Sequence, residues 1–137
     1  MNTRMELAWA DFRRGQLKEW GEGQPTDLSG AARLYRRAAM RGLAEAQQAL
    51  AFLYATGQGV NFDEAMAAAW FRRAAEQGLA AAQHNLAVMY TEGRGVEQNE
   101  RLALHWYYRA ACSGSDIARQ WLALTREQWR EHLSADL

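Results

Sequence analysis

Residues 38–60, AAMRGLAEAQQALAFLYATGQGV, and residues 74–96, AAEQGLAAAQHNLAVMYTEGRGV, are near-copies set 36 residues apart. A third copy begins at Ala110 and Ala111 and keeps Gly114, Ala118 and Leu122. A fixed period between about 20 and 50 residues marks a solenoid, in which each unit buries its apolar face against its neighbours. The chain is therefore read as a stack of like units.

Punctuation within the period sets the elements. Nine of the 11 glycines fall in three columns of it: Gly42, Gly78 and Gly114; Gly21, Gly57 and Gly93; Gly23, Gly59 and Gly95. Glycine reaches left-handed backbone conformations without steric cost, so it suits the residue just past a helix. The first column is expected to end the second helix of each pair, and the other two to shape the turn inside it. Asp27, Asp63 and Asn99 share a further column and can cap helix starts. Pro25, the single proline, precedes the first of them, where its missing donor does little harm.

This punctuation predicts helices over about 27–41, 43–56, 62–77, 79–92, 98–113 and 116–134, after a first from about 3 to 20. The alanine-rich segments favour helix, and no strand signal interrupts them. In the first helix Met5, Ala8, Trp9 and Phe12 share a face. Arg14 and Lys18 stand where later copies have Leu50 and Tyr54, so this helix reads as a modified terminal repeat poorly in register. The last helix, capped by Ser115 or Asp116, carries an inward stripe of Ala118, Trp121, Leu122, Thr125 and Trp129. No glycine turn follows it, and it reads as a C-terminal cap.

Comparing the copies separates scaffold from surface. Leu43/Leu79, Ala46/Ala82, Gln47/Gln83, Leu50/Leu86, Ala51/Ala87 and Tyr54/Tyr90 are identical across one period. Ala67/Ala103, Trp70/Trp106, Ala74/Ala110 and Ala75/Ala111 recur in the second helices, beside an aromatic column of Tyr35, Phe71 and Tyr107. Small residues facing large ones let helices approach and interlock, so all of these are assigned to the core.

Composition narrows the class. A length of 137 residues suits one domain, and 49% hydrophobic content supports a folded chain. Sixteen Lys and Arg balance sixteen Asp and Glu, which argues against a protein that tracks phosphates. The lone Cys112 permits neither an internal disulfide nor a cysteine metal site. The opening MNTRMELAWADFRRG has no apolar signal segment, and no run is long and apolar enough to span a bilayer. The expectation is a cytoplasmic protein with no membrane partner, unless a leader has been removed.

With these residues laid out, the pattern resembles the Sel-one-like repeat (SLR) family, a relative of the tetratricopeptide repeat. The family pattern is AA-x-x-G-x-x-x-AQ-x-x-LA-x-x-Y-x-x-G-x-GV, a polar turn, then A-x-x-W. Residues 38–70 and 74–106 match it almost fully, and partial units flank them. The resemblance implies an all-α, right-handed superhelical α/α solenoid of about three helix-turn-helix repeats with a C-terminal capping helix. The expected division is one domain over 1–137: a modified repeat at 1–41, repeats at 42–77 and 78–113, and the cap at 114–137. It also implies that the first helices line a concave surface that holds a protein or peptide. Exported members often clamp each helix pair with a disulfide. Cys112 lies near such a position without a second cysteine, which favours a reducing compartment.

Positions that differ between copies, on the face of the first helices away from the partner helix, are the candidate binding surface. These are Glu45/Ala81, Gln48/His84, Phe52/Val88 and Ala55/Thr91, continuing as Gln120 and Leu124. Spaced three to four apart, they line one stripe per helix. Phe52 is the leading anchor, since a repeated scaffold requires no aromatic there.

Catalysis finds thin material. His84, His105, His132 and Cys112 show no spacing that pairs a nucleophile with a base. GQGV and GRGV lack the lysine and the strand-before-helix context of a phosphate loop. No enzyme activity, cofactor or metal is expected. Arg33, Arg36, Arg37, Arg41, Arg72, Arg73 and Arg109 fall on the second helices as a basic outer face. The balancing acids make this a solvated face rather than a nucleic-acid track. The reading is a non-catalytic scaffold or adaptor binding a protein or peptide in its groove. The alternative is an immunity-type protein that neutralises a cognate bacterial toxin or effector.

Overall fold

The computed structural model describes residues 3–135, with side chains described through residue 127. Seven helices follow one another: α1 (Thr3–Trp20), α2 (Leu28–Met40), α3 (Ala44–Thr56), α4 (Glu64–Glu76), α5 (Ala80–Glu92), α6 (Glu100–Cys112) and α7 (Asp116–Ala135). Among the described residues there is no strand. The architecture is an all-α solenoid of three hairpins, α1/α2, α3/α4 and α5/α6, closed by α7.

The helix starts form as their caps dictate. The side chains of Asp27, Asp63 and Asn99 accept the backbone N–H of Gly30, Met66 and Leu102 at 2.9, 3.0 and 3.0 Å. Each cap uses one of the donors a helix start leaves free. The cap residues' own N–H groups donate to the carbonyls of Lys18, Tyr54 and Tyr90 at 2.8, 3.0 and 3.0 Å. One residue thus ties the start of each second helix to the end of the first. The Ser115 hydroxyl caps α7 by accepting the Ala118 N–H at 3.2 Å.

The third glycine column decides how repeats meet. A β-carbon on Gly59 would lie 2.3 Å from the Leu28 carbonyl oxygen, and one on Gly95 would lie 2.1 Å from that of Glu64. Both glycines also have φ of +72°. The turn of one repeat therefore rests, backbone on backbone, on the first turn of the preceding second helix. Gly23, in the same column, has open space where its β-carbon would be.

The alanine columns Ala31/Ala67/Ala103, Ala38/Ala74/Ala110 and Ala39/Ala75/Ala111 are buried, as are the rings of Tyr35, Phe71 and Tyr107. Leu50, Leu86, Trp70 and Trp106 fill the remaining space. Leu79, assigned to the core with Leu43, is only partly buried.

Gln47 and Gln83 are buried because each closes a helix end. Their Nε2 groups donate to the Ala39 and Ala75 carbonyls at 3.1 and 3.0 Å, and Arg119 Nε reaches Ala111 in the same way at 3.2 Å. These carbonyls belong to the last turn of a second helix, where each also accepts the N–H of the glycine that follows it, Gly42, Gly78 or Gly114, at 3.0–3.2 Å. Gln47 Oε1 in turn accepts from Gln77 Nε2 at 2.9 Å. Ser113 occupies the corresponding position one repeat on and is too short to reach. Gln83 Oε1 accordingly has no partner among the described residues.

The structure corrects the reading of α1. It lies in repeat register: Asp11 is buried in the Gln47/Gln83 column, and Gly15 in the Ala51/Ala87 column. A β-carbon on Gly15 would meet the Tyr35 ring at 2.6 Å. Asp11 accepts Arg41 at 2.8 Å, with Arg37 at 3.5 Å and Arg14 at 3.8 Å. The side chains of Arg14 and Lys18 are 63% and 43% exposed, because no described helix packs on that side of α1. In α7 Ala118 is fully buried, while Trp121, Leu122 and Thr125 are half-buried. Trp129 lies outside the described side chains.

Candidate partner-binding face

The buried rings Tyr35, Phe71 and Tyr107 form a ladder, one per repeat, and the variable stripe packs along it. Phe12 meets Tyr35 at 5.5 Å, Phe52 meets Phe71 edge-on at 5.2 Å, and His84 meets Tyr107 at 5.6 Å. Trp121 of α7 stacks on the outer side of the last rung, 3.9 Å from Tyr107 with the planes 18° apart. At Phe52 and His84 the stripe is therefore not turned away from the partner helix, as the spacing suggested. These two residues lie on the seam between first and second helices, because large rings from α4 and α6 reach into it, whereas Gln120 and Leu124 sit on α7, with no second helix described beside it.

This placement sets how much of each residue is free. Phe52 is 45% exposed and Leu124 is 64% exposed, and Gln120 is exposed as well. Glu45, Gln48, His84, Val88 and Thr91 are half-buried. Two buried polar atoms on the stripe, Gln48 Oε1 and His84 Nδ1, lack a hydrogen-bond partner among the described residues. They occupy the same position one period apart. Burial lowers the His84 pKa, which favours the neutral imidazole. Burial and the hydrogen bond to Glu19 push the Tyr35 hydroxyl far up, so it stays a donor. Burial also raises Tyr107, against the opposing effect of Thr91 as hydrogen-bond partner.

Sequence comparison of the two best copies left α1 off the stripe. Phe12 is one period before Gln48, and Glu19 one period before Ala55. Both touch Tyr35, so the seam extends over the first repeat. The signal was the shared offset, hidden because Arg14 and Lys18 break the neighbouring apolar columns.

The other reactive side chains stand apart from this seam. Cys112 and His105 are exposed, the latter with its ring edge on Trp106 at 5.3 Å. The side chain of His132 lies outside the described ones. Among the described residues no three of His, Cys, Asp and Glu group together as a metal site would need. No described helix is long and apolar enough to cross a membrane.

The Sel1 repeat profile matches residues 10–43, 44–79 and 80–115. A protective antigen present in uropathogenic Escherichia coli strains, displaying an SLR fold, superposes with a TM-score of 0.84 at 36% identity. The match covers 88% of this chain and 26% of that one. A Sel1 repeat protein from Oxalobacter formigenes gives 0.79 at 35% identity, over 81% and 46%. Helicobacter pylori cysteine rich protein B gives 0.70 at 19% identity over 87% and 96%, a likeness of fold alone. The chain thus spans less than half the length of the first two. A comparison with curated proteins returned no match. Three repeats matched end to end, on a fold shared with these solved structures, show that the chain belongs to the Sel1 repeat family.

Proposed function

We propose that the stripe of Glu45, Gln48, Phe52, His84, Val88, Thr91, Gln120 and Leu124 is the wall of a concave face that binds a protein or peptide, without chemistry of its own. Sel1 repeat proteins are commonly protein-interaction scaffolds. The observation that carries the reading to this face is its exposed apolar column, Phe52 at 45% and Leu124 at 64%, two periods apart at one repeat position. A helix or extended peptide can set its own apolar side chains against anchors repeated at such intervals. The half-buried Gln48, His84 and Thr91 supply polar contacts beside these anchors. The stack is held by backbone contacts and caps, so binding costs little ordering on this side. Neutralisation of a cognate toxin or effector is a special case of the same mode.

Photo-crosslinking tests the assignment. A benzophenone side chain replacing Phe52 or Leu124 is expected to capture a partner in the native cell. The same group at Ala69 or Arg72, on the outer side of α4, is expected not to. Equal capture from both sets removes the stripe as the binding face. Phe52→Glu should abolish capture from Leu124 while leaving the helical circular dichroism unchanged.

A further inference from the structure

Away from the seam, the outer face of α2 holds an open concavity of about 610 Å³ lined by Arg4, Arg33, Arg36, Arg37, Met40 and Arg41. Five guanidinium groups converge there. Only Arg37 and Arg41 reach a carboxylate, and both share the single buried Asp11. Among the described residues no Asp or Glu oxygen pairs with Arg4, Arg33 or Arg36. Arg4 is tethered instead to the Met40 carbonyl at 3.3 Å, and Arg36 to the Tyr54 hydroxyl at 3.0 Å. Neutral tethers fix a guanidinium without neutralising it.

The repeat itself shows that the scaffold does not need this charge. One period on, Arg33 and Arg41 are replaced by Ala69 and Gln77. Arg72, the counterpart of Arg36, is paired with Glu76 at 3.1 Å, and Arg73 lies over the Trp70 ring at 4.7 Å. In the third repeat the same positions hold His105, Tyr108 and Ser113, with Arg109 over Trp106 at 4.7 Å. The cluster of guanidinium groups belongs to the first repeat, since the second helices of the later repeats carry two arginines each, Arg72 and Arg73, then Arg101 and Arg109.

We propose that this concavity binds a short acidic segment of a partner protein, carboxylates on the arginines and an apolar side chain on Met40. Guanidinium forks match carboxylates bidentately, and charge-assisted bonds of this kind are among the stronger ones. Met40, 61% exposed among the lining residues, offers a soft apolar contact that a bare polyphosphate would not use. Extent decides against nucleic acid. Arg33 to Arg41 spans about 12 Å of helix at 1.5 Å per residue, room for a few charges. Beyond it, residues 42–137 carry eight Lys and Arg against eleven Asp and Glu, which repels a long polyanion. The site is separate from the seam, and either assignment stands without the other.

Fluorescence anisotropy tests it, with a labelled peptide of alternating Asp and Glu around a central Leu. Wild type is expected to bind this peptide and not its Asn/Gln counterpart. Arg33→Ala/Arg36→Ala should weaken binding at least about tenfold. Arg72→Ala/Arg73→Ala should leave it unchanged. Raising salt from about 50 to about 300 mM should weaken the wild-type interaction severalfold, a readout that needs no variant. Equal binding by the Arg33/Arg36 variant, equal binding of the neutral peptide, salt independence, or tighter binding of a single-stranded oligonucleotide would each overturn the proposal.

Discussion

Single polar side chains in buried columns do the work of helix ends. Gln47 satisfies a last-turn carbonyl and a neighbouring amide at once, whereas Gln83 satisfies only the carbonyl. Gln47→Leu should cost about 1 kcal/mol, since the Ala39 carbonyl keeps the Gly42 N–H at 3.0 Å but loses its buried side-chain donor. Ser113→Gln, which copies Gln77 into the third repeat, should gain about 1 kcal/mol by giving Gln83 Oε1 a donor. Urea midpoints read both. His84 sets a pH dependence of known sign. Burial lowers its pKa in the folded state, so the unfolded chain binds the proton more tightly. Its contribution is complete above the ordinary histidine value and is lost as pH falls toward the folded one. The melting temperature is expected to drop between about pH 7 and 5, and to drop less in His84→Gln, which installs the residue of the preceding repeat. An equal drop in both proteins removes His84 as the cause.

At the scale of the element, α7 stands in the first-helix position, with no second helix packed on it among the described residues. Its counterparts α3 and α5 bury Ala51 and Ala87 completely, while Ala123 at the same position is exposed. What holds α7 is therefore its contact with α6, centred on Trp121 stacked on Tyr107. Aromatic stacking of this geometry adds about 0.5–1.5 kcal/mol beyond area burial. Trp121→Ala should speed hydrogen exchange across residues 116–127 while α2 to α4 keep their protection, because local opening follows local contacts. Loss of protection across the whole chain would mean that α7 is integral to a single cooperative unit.

Across the whole molecule, stability is a sum of hairpins and the interfaces between them. The glycine turns test this directly. Gly59→Ala and Gly95→Ala each force a β-carbon into a carbonyl of the neighbouring repeat and should cost about 3 kcal/mol. Gly23→Ala meets no neighbour and should cost about 1 kcal/mol, from its left-handed backbone alone. Similar losses at all three positions would show that backbone conformation, and not repeat contact, sets the requirement. The helices, caps and glycine turns were legible in the sequence because each depends on residues within one turn of it, and the 36-residue offset repeats them. The core columns were legible for the same reason, since stacking places equal positions in equal surroundings. Only the tertiary structure showed that α1 keeps register, because its departures, Arg14 and Lys18, fall on a side no described helix covers. Only it showed that Phe52 and His84 lean on rings from the second helices, or that Arg4 and Arg36 are tethered by neutral groups. Those contacts join residues on different helices, and local spacing fixes the face a side chain shares but not the neighbour it meets across the seam.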